Sequence, residues 1–216
     1  MLGRVTPLYA DTHLLAFDKP AGLLSVPGRG ADKQDSLSAR AQALWPDALV
    51  VHRLDMATSG LLLLARGAEM QRALSAAFAQ RQVHKGYVAV VHGLVAGEHG
   101  SIDAPLAADW PRRPRQQVDR VHGKPSLTRW SVLRRDPARQ RTLLALEPRT
   151  GRTHQLRVHL AHAGHAIVGD ALYAEPALAD PAAAAPRLLL HACTLQLTHP
   201  ATGAPLHLHS PPPFDL

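Results

Sequence analysis

The sequence predicts an α+β fold in which a large mixed, mainly antiparallel sheet is flanked by helices and loops. Two observations carry this prediction. Segments of strand character outnumber helical ones, and the two kinds follow one another without the regular alternation that builds a parallel sheet. The chain has 216 residues and shows no internal repeat, which is typical of one substantial core. We therefore expect residues 1–216 to form a single domain.

The predicted strands are short segments in which apolar residues alternate or run together between glycines and prolines. In chain order they are 14–18, 22–28, 61–65, 86–93, 127–133, 142–148 and 188–197. The segment 61–65 (LLLLA) is wholly apolar and too short for a typical helix. This pattern predicts a strand that is buried on both faces.

The predicted helices have apolar residues at helical spacing and recognisable ends. They are 36–45, 68–80 and a helix from about Thr153. Ser36 is a favourable N-cap residue, and Pro46 stops the first helix. Prolines interrupt the segments 110–124 and 174–187, which are therefore predicted to be loops.

The charge of the chain indicates a polyanionic partner. Lysine and arginine number 24 against 17 acidic residues, and such an excess favours nucleic acid, although a basic surface that only aids solubility is the alternative. The segment 110–124 (WPRRPRQQVDRVHGK) concentrates the positive charge. We expect Arg112, Arg113 and Arg115 to lie along phosphates, with Trp110 as a stacking platform.

Several classes of function are excluded or disfavoured. No apolar run is long enough to span a bilayer and no signal-peptide pattern opens the chain, so we expect a cytoplasmic protein without a membrane partner. Cys193 is the only cysteine, which excludes an intrachain disulfide. The spacing of His159, His162 and His165, with no carboxylate between them, is not typical of a metal site, so we expect none. The segment 19–28 lacks the GK[ST] ending of a phosphate-binding loop, so we expect no nucleotide site there.

Asp55 is the first candidate for chemistry. It follows His52 and Arg53 and stands just before the predicted buried strand. Neighbouring cations keep a carboxylate ionised while partial burial removes its water, which suits a nucleophile or a base. The alternative is an aspartate that caps the turn around Thr58 by binding backbone N–H groups.

A second candidate group follows Gly151. The segment 151–170 contains Arg152, His154 and Arg157. Arg157 is expected one to two turns into a helix, where its guanidinium could bind a carboxylate with two hydrogen bonds, and an exposed surface arginine is the alternative. His154 is expected to bind backbone or RNA. Asp170 is the nearest second carboxylate, and its setting (IVGD) favours a role in a turn.

Four segments together resemble the RluA-type pseudouridine synthase family. They are KPAGLLSVPG (19–28), HRLDMATSGLLLLA (52–65), KGYVAVVHG (85–93), and GRTHQLRVHL with AGHAIVGD (151–170). They occur in the family's order and cover nearly the whole chain. Within the family the chain is most similar to the dual-specificity members that modify 23S rRNA and tRNA. The few residues before Lys19 leave no room for an S4 RNA-binding domain, so one catalytic domain is expected.

The resemblance implies a cofactor-free isomerisation of uridine to pseudouridine in RNA, in which the base leaves its ribose and is rejoined through carbon 5. Asp55 matches the family's catalytic aspartate, Tyr87 the tyrosine that stacks on the target base, and Arg157 the arginine that pairs with the aspartate. The sequence leaves open whether Asp55 adds to carbon 6, attacks the sugar or deprotonates carbon 2′. By its position beside Val88 and Val90 alone, an ordinary strand aromatic is the favoured interpretation of Tyr87, and the resemblance reverses that preference.

The target uridine has to be flipped out of the RNA stack, which costs a few kcal/mol. We expect Arg53 to fill the vacated space or to hold a phosphate. The residues expected to bind RNA are Arg53, His52, Thr58, Arg152, His154, Arg112, Arg113 and Arg115. RNA stem-loops are the expected partner, and the protein is expected to be a monomer without an obligatory protein partner. The alternatives are a different rRNA or tRNA target, a non-catalytic RNA-binding module, and an aspartate-dependent hydrolase.

Overall fold

The computed structural model of the chain describes residues 5–174 and 185–216. Within them, the strands are β1 (Tyr9–Ala10), β2 (Leu14–Lys19), β3 (Ala48–Val50), β4 (Ser59–Arg66), β5 (His84–His92), β6 (His99–Asp103), β7 (Leu106–Ala108), β8 (Gln116–Val118), β9 (Leu127–Asp136), β10 (Arg141–Pro148), β11 (Leu190–Thr198) and β12 (Pro205–His209). The α-helices are α1 (Leu37–Gln42), α2 (Gly67–Ala79) and α3 (Gln155–His162), and two 3₁₀ turns lie at Ala31–Lys33 and Trp110–Arg112. The predicted α+β class with a large, mainly antiparallel sheet is confirmed.

The described residues divide into two compact units. The first unit comprises the described parts of Met1–Lys85 and Ala192–Pro211, and the second those of Gly86–His191 and Pro212–Leu216. The expectation of a single domain over residues 1–216 stays a prediction.

The first unit is built on β4. Strands β2 and β3 both pair with it in antiparallel fashion, and β1 extends the sheet beyond β2. All residues of β4 from Ser59 to Ala65 are buried, which confirms the predicted strand with two buried faces. Leu61 and Leu63 pack in one apolar cluster with Leu74 of α2. Each such leucine contributes about 1.5–3 kcal/mol of burial free energy, so β4 is a rigid element.

Gly60, at the start of β4, permits a very close approach of two backbones. Its φ is 110°, and a Cβ built on it would lie 2.3 Å from the carbonyl oxygen of Ala192 in β11. Strand β11 continues into an antiparallel pair with β12, and Leu195, Leu197 and Leu208 from this hairpin join the β4 cluster. The glycine of the TSG segment is therefore required by packing.

The second unit contains an antiparallel sheet in the order β5–β10–β9–β6 and a separate hairpin of β7 and β8. Helix α3 is attached to β9 by the buried His159. Its Nε2 lies 2.9 Å from the carbonyl oxygen of Ala104, and its Nδ1 lies 2.9 Å from the hydroxyl of Thr128. Because a carbonyl can only accept, Nε2 is the donor to Ala104, whereas the Thr128 hydroxyl can either donate to Nδ1 or accept from it. Burial is the main cause that lowers the pKa of His159.

Three predicted elements differ from the structure. Helix α3 begins at Gln155 and not near Thr153, because His154 has a left-handed backbone with φ 54°. The segment 110–124, predicted as an extended loop, contains the 3₁₀ turn Trp110–Arg112 and strand β8, because β8 pairs with β7. The segment 22–28 holds turns and one isolated bridge, not a strand. Of the predicted loop 174–187, residues 175–184 lie outside the described residues.

Candidate active site

Asp55 lies in the segment that joins β3 to β4, at the first position of a turn. The N–H of Thr58 donates to the carbonyl oxygen of Asp55 over 3.1 Å, and β4 begins at the next residue. Asp55 is half-buried. The candidate carboxylate therefore lies where a tight turn meets the buried strand β4.

Both neighbours of Asp55 are held by the segment 19–25. The hydroxyl of Ser25 donates to the carbonyl of Leu54 over 2.7 Å and accepts its N–H over 3.0 Å. On the other side, the carbonyl of Met56 accepts the N–H of Gly22 over 2.8 Å and the ammonium of Lys19 over 3.2 Å. These hydrogen bonds fix the backbone on each side of Asp55, and so restrict where its carboxylate can point.

Lys19 is fully buried. Besides Met56, its ammonium donates to the carbonyls of Pro20 over 2.9 Å and Leu23 over 2.8 Å. An ammonium has three N–H donors, and burying its charge is costly unless they are used. The burial of Lys19 favours a structural role over a contact with phosphate.

His52 supports β4. Its Nε2 accepts the N–H of Leu63 over 2.9 Å, and its ring stacks on Phe78 at 4.5 Å between centroids. Burial, followed by the nearby charge of Lys85, lowers the pKa of His52 to about 3. The imidazole is therefore neutral, with its proton on Nδ1. The contacts observed for His52 are structural, and its expected contact with RNA stays a prediction.

Arg53 and Thr58, the other RNA-binding candidates of this segment, differ in exposure. Arg53 is exposed, whereas Thr58 is 2% exposed. Of the two, only Arg53 presents its side chain at the surface.

Arg157 forms a buried pair with Asp170 in the second unit. Its Nε and Nη2 each donate over 2.7 Å to the two carboxylate oxygens of Asp170. Arg157 lies in the first turn of α3, nearer the helix start than expected, and it is 4% exposed, so the alternative of a surface arginine is wrong. Asp170 also accepts the N–H groups of Leu172 and Tyr173, as expected for a turn. The pairing of Arg157 with Asp55 stays a prediction.

Tyr87 lies in β5 opposite Leu146 of β10 and is half-buried. His154 and Arg152 both lie close to the start of α3. The Nδ1 of His154 lies 2.6 Å from the hydroxyl of Tyr173, and the Nε of Arg152 donates to the carbonyl of Pro125 over 3.3 Å.

We call residues 109–116 the basic loop. The Nε of Arg112 lies 2.7 Å from a carboxylate oxygen of the buried Asp109, so part of the positive charge is compensated within the loop. The guanidinium of Arg113 stacks 3.6 Å from the ring centroid of Trp110, which is 67% exposed. The guanidinium of Arg115 lies 5.4 Å from the ring of Tyr173. An exposed aromatic ring beside cations is typical of a surface that binds single-stranded nucleic acid.

Sequence reasoning missed several residues of these two regions. Ser25 and Lys19 stand within the recognised segment 19–28, but their roles depend on contacts with a turn far along the chain. The sequence around Tyr173 and Asp109 does not indicate a function for either residue. The nearest indications are that Tyr173 follows Asp170 and that Asp109 precedes the arginines of the basic loop. Among the described residues, no cluster of three potential metal ligands is present, and no helix has the length and apolarity needed to cross a membrane.

Comparison with solved structures defines the class of protein. The human RNA Pseudouridylate Synthase Domain Containing 1 is similar with a TM-score of 0.81 and 27% identity, over 98% of this chain and 84% of that one. The human RNA Pseudouridylate Synthase Domain Containing 4 is similar with a TM-score of 0.74 and 26% identity, over 96% of this chain and 88% of that one. The fold is that of a pseudouridylate synthase domain.

Sequence comparison then gives the family. Residues 13–162 match the family model described as RNA pseudouridylate synthase. The Dual-specificity RNA pseudouridine synthase RluA of Vibrio cholerae is 48% identical over 89% of this chain and 77% of its own length. The proteins of the same name from Yersinia pestis and Escherichia coli are each 45% identical, over 93% and 96% of this chain and 95% and 93% of their own lengths. The chain belongs to the RNA pseudouridylate synthase family, and it is an isomerase that converts uridine to pseudouridine in RNA.

The depressed pKa of His52 predicts a pH-dependent stability. The folded state keeps His52 neutral down to about pH 3, whereas the unfolded state binds a proton near pH 6.5, so this stability is present above about pH 6.5 and is lost as the pH falls. We expect the unfolding free energy to decrease by up to about 1.4 kcal/mol per pH unit below that value. Urea unfolding at several pH values measures the slope. His52→Gln should flatten it and the exposed His207→Gln should not; equal slopes in all three proteins would contradict the prediction.

Lys19→Met is expected to disturb the Asp55 turn. The carbonyls of Pro20, Leu23 and Met56 lose a donor, and each buried group left unpaired costs about 1–3 kcal/mol. We expect a lower free energy of unfolding, and a decrease in the rate of pseudouridine formation that exceeds the loss of RNA affinity. Urea unfolding, single-turnover kinetics and RNA binding measure the three effects. The exposed Lys33→Met is the control. A Lys19→Met protein with unchanged kinetics would show that the turn does not depend on this ammonium.

Proposed function

We propose that this enzyme has dual specificity and modifies uridines in 23S rRNA and in the anticodon stem-loop of tRNA. The observation that supports this proposal is the similarity of 45–48% identity, over 89–96% of the chain, to relatives whose names state dual specificity. A family member with a different rRNA or tRNA target is the alternative, which the same RNA substrates test.

In the proposed mechanism, Asp55 is the catalytic nucleophile or base. The hydrogen bonds to the backbone of Leu54 and Met56 support this role, because they fix the chain on both sides of the residue that carries the carboxylate. During the reaction the bond between N1 and the ribose breaks and a bond between carbon 5 and the ribose forms. Carbon 5 loses its proton to solvent and N1 takes up a proton, so the product is an isomer of the substrate. Tyr87 stacks on the target base, and Arg157 orients the aspartate.

Arg157 is suited to this role because Asp170 fixes its guanidinium. Two parallel hydrogen bonds of 2.7 Å set both the position and the plane of the guanidinium. A guanidinium also remains charged throughout the reaction. An arginine held in this way can orient a second carboxylate without moving itself.

The residues proposed to bind RNA include cations of each unit. Arg53 fills the space that the flipped uridine leaves or holds a neighbouring phosphate. The basic loop contacts the RNA backbone through Arg112, Arg113 and Arg115, and Trp110 stacks on an unpaired base. Arg152, His154, His52 and Thr58 complete the predicted set. The protein acts in the cytoplasm as a single-domain monomer without a membrane or an obligatory protein partner.

Asp55→Asn tests the catalytic role. Tritium release from transcripts labelled at carbon 5 of uridine measures the reaction, with a tRNA anticodon stem-loop and a 23S rRNA fragment as separate substrates. We expect release from both RNAs by the wild type and none above background by Asp55→Asn, while RNA binding is retained. The exposed Asp32→Asn is the control. Equal release by Asp55→Asn would exclude Asp55 from the chemistry, and release from one RNA alone would overturn dual specificity.

Trp110→Ala and Arg113→Ala test the RNA interface in the Asp55→Asn protein, which binds without turnover. Loss of base stacking costs about 1–3 kcal/mol, so we expect Trp110→Ala to raise the Kd for RNA by about 5- to 150-fold. Arg113→Ala should reduce the slope of log affinity against log salt by about 0.7–0.9, because one phosphate contact is lost. Leu133, which is 54% exposed, gives the control Leu133→Ala. No change for Trp110→Ala relative to this control would exclude stacking.

A further inference from the structure

Tyr173 connects regions of the second unit that are distant in sequence. It follows Asp170 in the turn after α3 and is 9% exposed. Its ring packs with Leu106 of β7 and Val158 of α3. One side chain thus lies between the β7–β8 hairpin and the helix that carries Arg157.

The hydroxyl of Tyr173 binds two partners at once. The backbone N–H of Gln116, at the end of the basic loop, donates to it over 2.8 Å. The Nδ1 of His154 lies 2.6 Å from the same oxygen. Because the hydroxyl has one proton and accepts from Gln116, it can donate that proton to His154. The hydroxyl therefore joins the basic loop to His154, the residue that precedes α3.

The ring of Tyr173 lies close to two guanidinium groups. The guanidinium carbon of Arg157 is 5.1 Å from the ring centroid, and that of Arg115 is 5.4 Å away. Both distances are within the range of cation–π attraction. The same ring thus contacts the proposed catalytic arginine and an arginine of the basic loop.

His154 is held in an uncommon conformation at this junction. Its φ of 54° is left-handed, which costs a non-glycine residue free energy unless surrounding contacts determine it. The hydrogen bond to Tyr173 is such a contact. It fixes the direction from which the chain enters α3, and Arg157 follows within the first turn.

We propose that Tyr173 is a positioning residue that couples the RNA-binding basic loop to Arg157. RNA that binds to the loop is thereby held at a defined distance from the arginine that acts on the target nucleotide. This inference rests on the proposed function, because it assigns the loop to RNA and Arg157 to catalysis.

Tyr173→Phe separates the two halves of this role. The ring and its contacts with Arg157 and Arg115 remain, while the hydroxyl that binds Gln116 and His154 is lost. We expect KM for the RNA to rise at least about fivefold, as for loss of a buried hydrogen bond, with a smaller decrease in kcat because the ring beside Arg157 remains. Tyr173→Leu also removes the ring beside Arg157, so we expect kcat to fall as well. Tyr9→Phe is the matched control, because it removes a hydroxyl that binds Asp11 in the first unit.

Limited proteolysis gives a second readout that does not require catalysis. Trypsin cleaves after Arg112 and Arg115 only when the basic loop unfolds locally. We expect Tyr173→Phe to be cleaved at these bonds several-fold faster than the wild type and Tyr9→Phe. Thermal unfolding of each variant shows whether the effect is local, and the expected result is a faster loop cleavage at a Tm close to that of Tyr9→Phe.

The outcomes distinguish the two proposals. If the wild type releases no tritium from any RNA, the proposed function fails, and faster cleavage of Tyr173→Phe still reports the structural coupling. If the wild type is active but Tyr173→Phe keeps its KM and its cleavage rate, the positioning role is overturned. If the apparent kcat of Tyr173→Phe falls only in proportion to the fraction of protein that is unfolded and KM is unchanged, Tyr173 is merely structural and the inference is also overturned.

Discussion

The buried ammonium of Lys19 is the interaction on which the arrangement around Asp55 depends. A single charge in an apolar core costs several kcal/mol unless it is fully hydrogen-bonded. Three carbonyls supply those bonds, and one of them belongs to Met56, next to Asp55. The hydrogen bond to Met56 thus ties the ammonium to the turn. Ser25 acts in the same direction on Leu54, with a hydroxyl that donates to one backbone group and accepts from another. The wholly buried β4 gives both contacts a rigid base.

In the second unit, the cost of burying charge is offset by a pair of opposite charges. Arg157 and Asp170 are both buried, and each satisfies the other through two hydrogen bonds. Removing either partner would leave an uncompensated charge, which costs about 3–5 kcal/mol. The pair is also part of a larger arrangement, since Asp170 orders the turn that places Tyr173. In the basic loop the pattern is different, because Asp109 is buried while Arg112 remains exposed to solvent. A buried anion there holds a surface cation in place.

Local sequence patterns predicted those features that depend on local physics. The wholly apolar segment 61–65 was predicted to be a buried strand, and it is one. Ser36 was predicted to cap its helix, and its side chain accepts the N–H of Ala39. Features set by distant contacts were not accessible. The start of α3 is shifted by the left-handed His154, whose Nδ1 lies 2.6 Å from the hydroxyl of Tyr173, a residue distant in sequence. Strand β8 exists because it pairs with β7, although its own composition is that of a loop. Asp55, Tyr87 and Arg157 were recognised by resemblance, whereas the supporting roles of Lys19 and Ser25 required the folded backbone.

The close contact between Gly60 and Ala192 affects the order in which the first unit can fold. The cluster around β4 includes Leu195, Leu197 and Leu208, which are distant in sequence from Leu61 and Leu63. Contacts between distant residues form slowly, because a long loop has to close before they are gained. The core of the first unit is therefore complete only after β11 and β12 have joined β4. The turn that carries Asp55 receives its full support in that late step of folding.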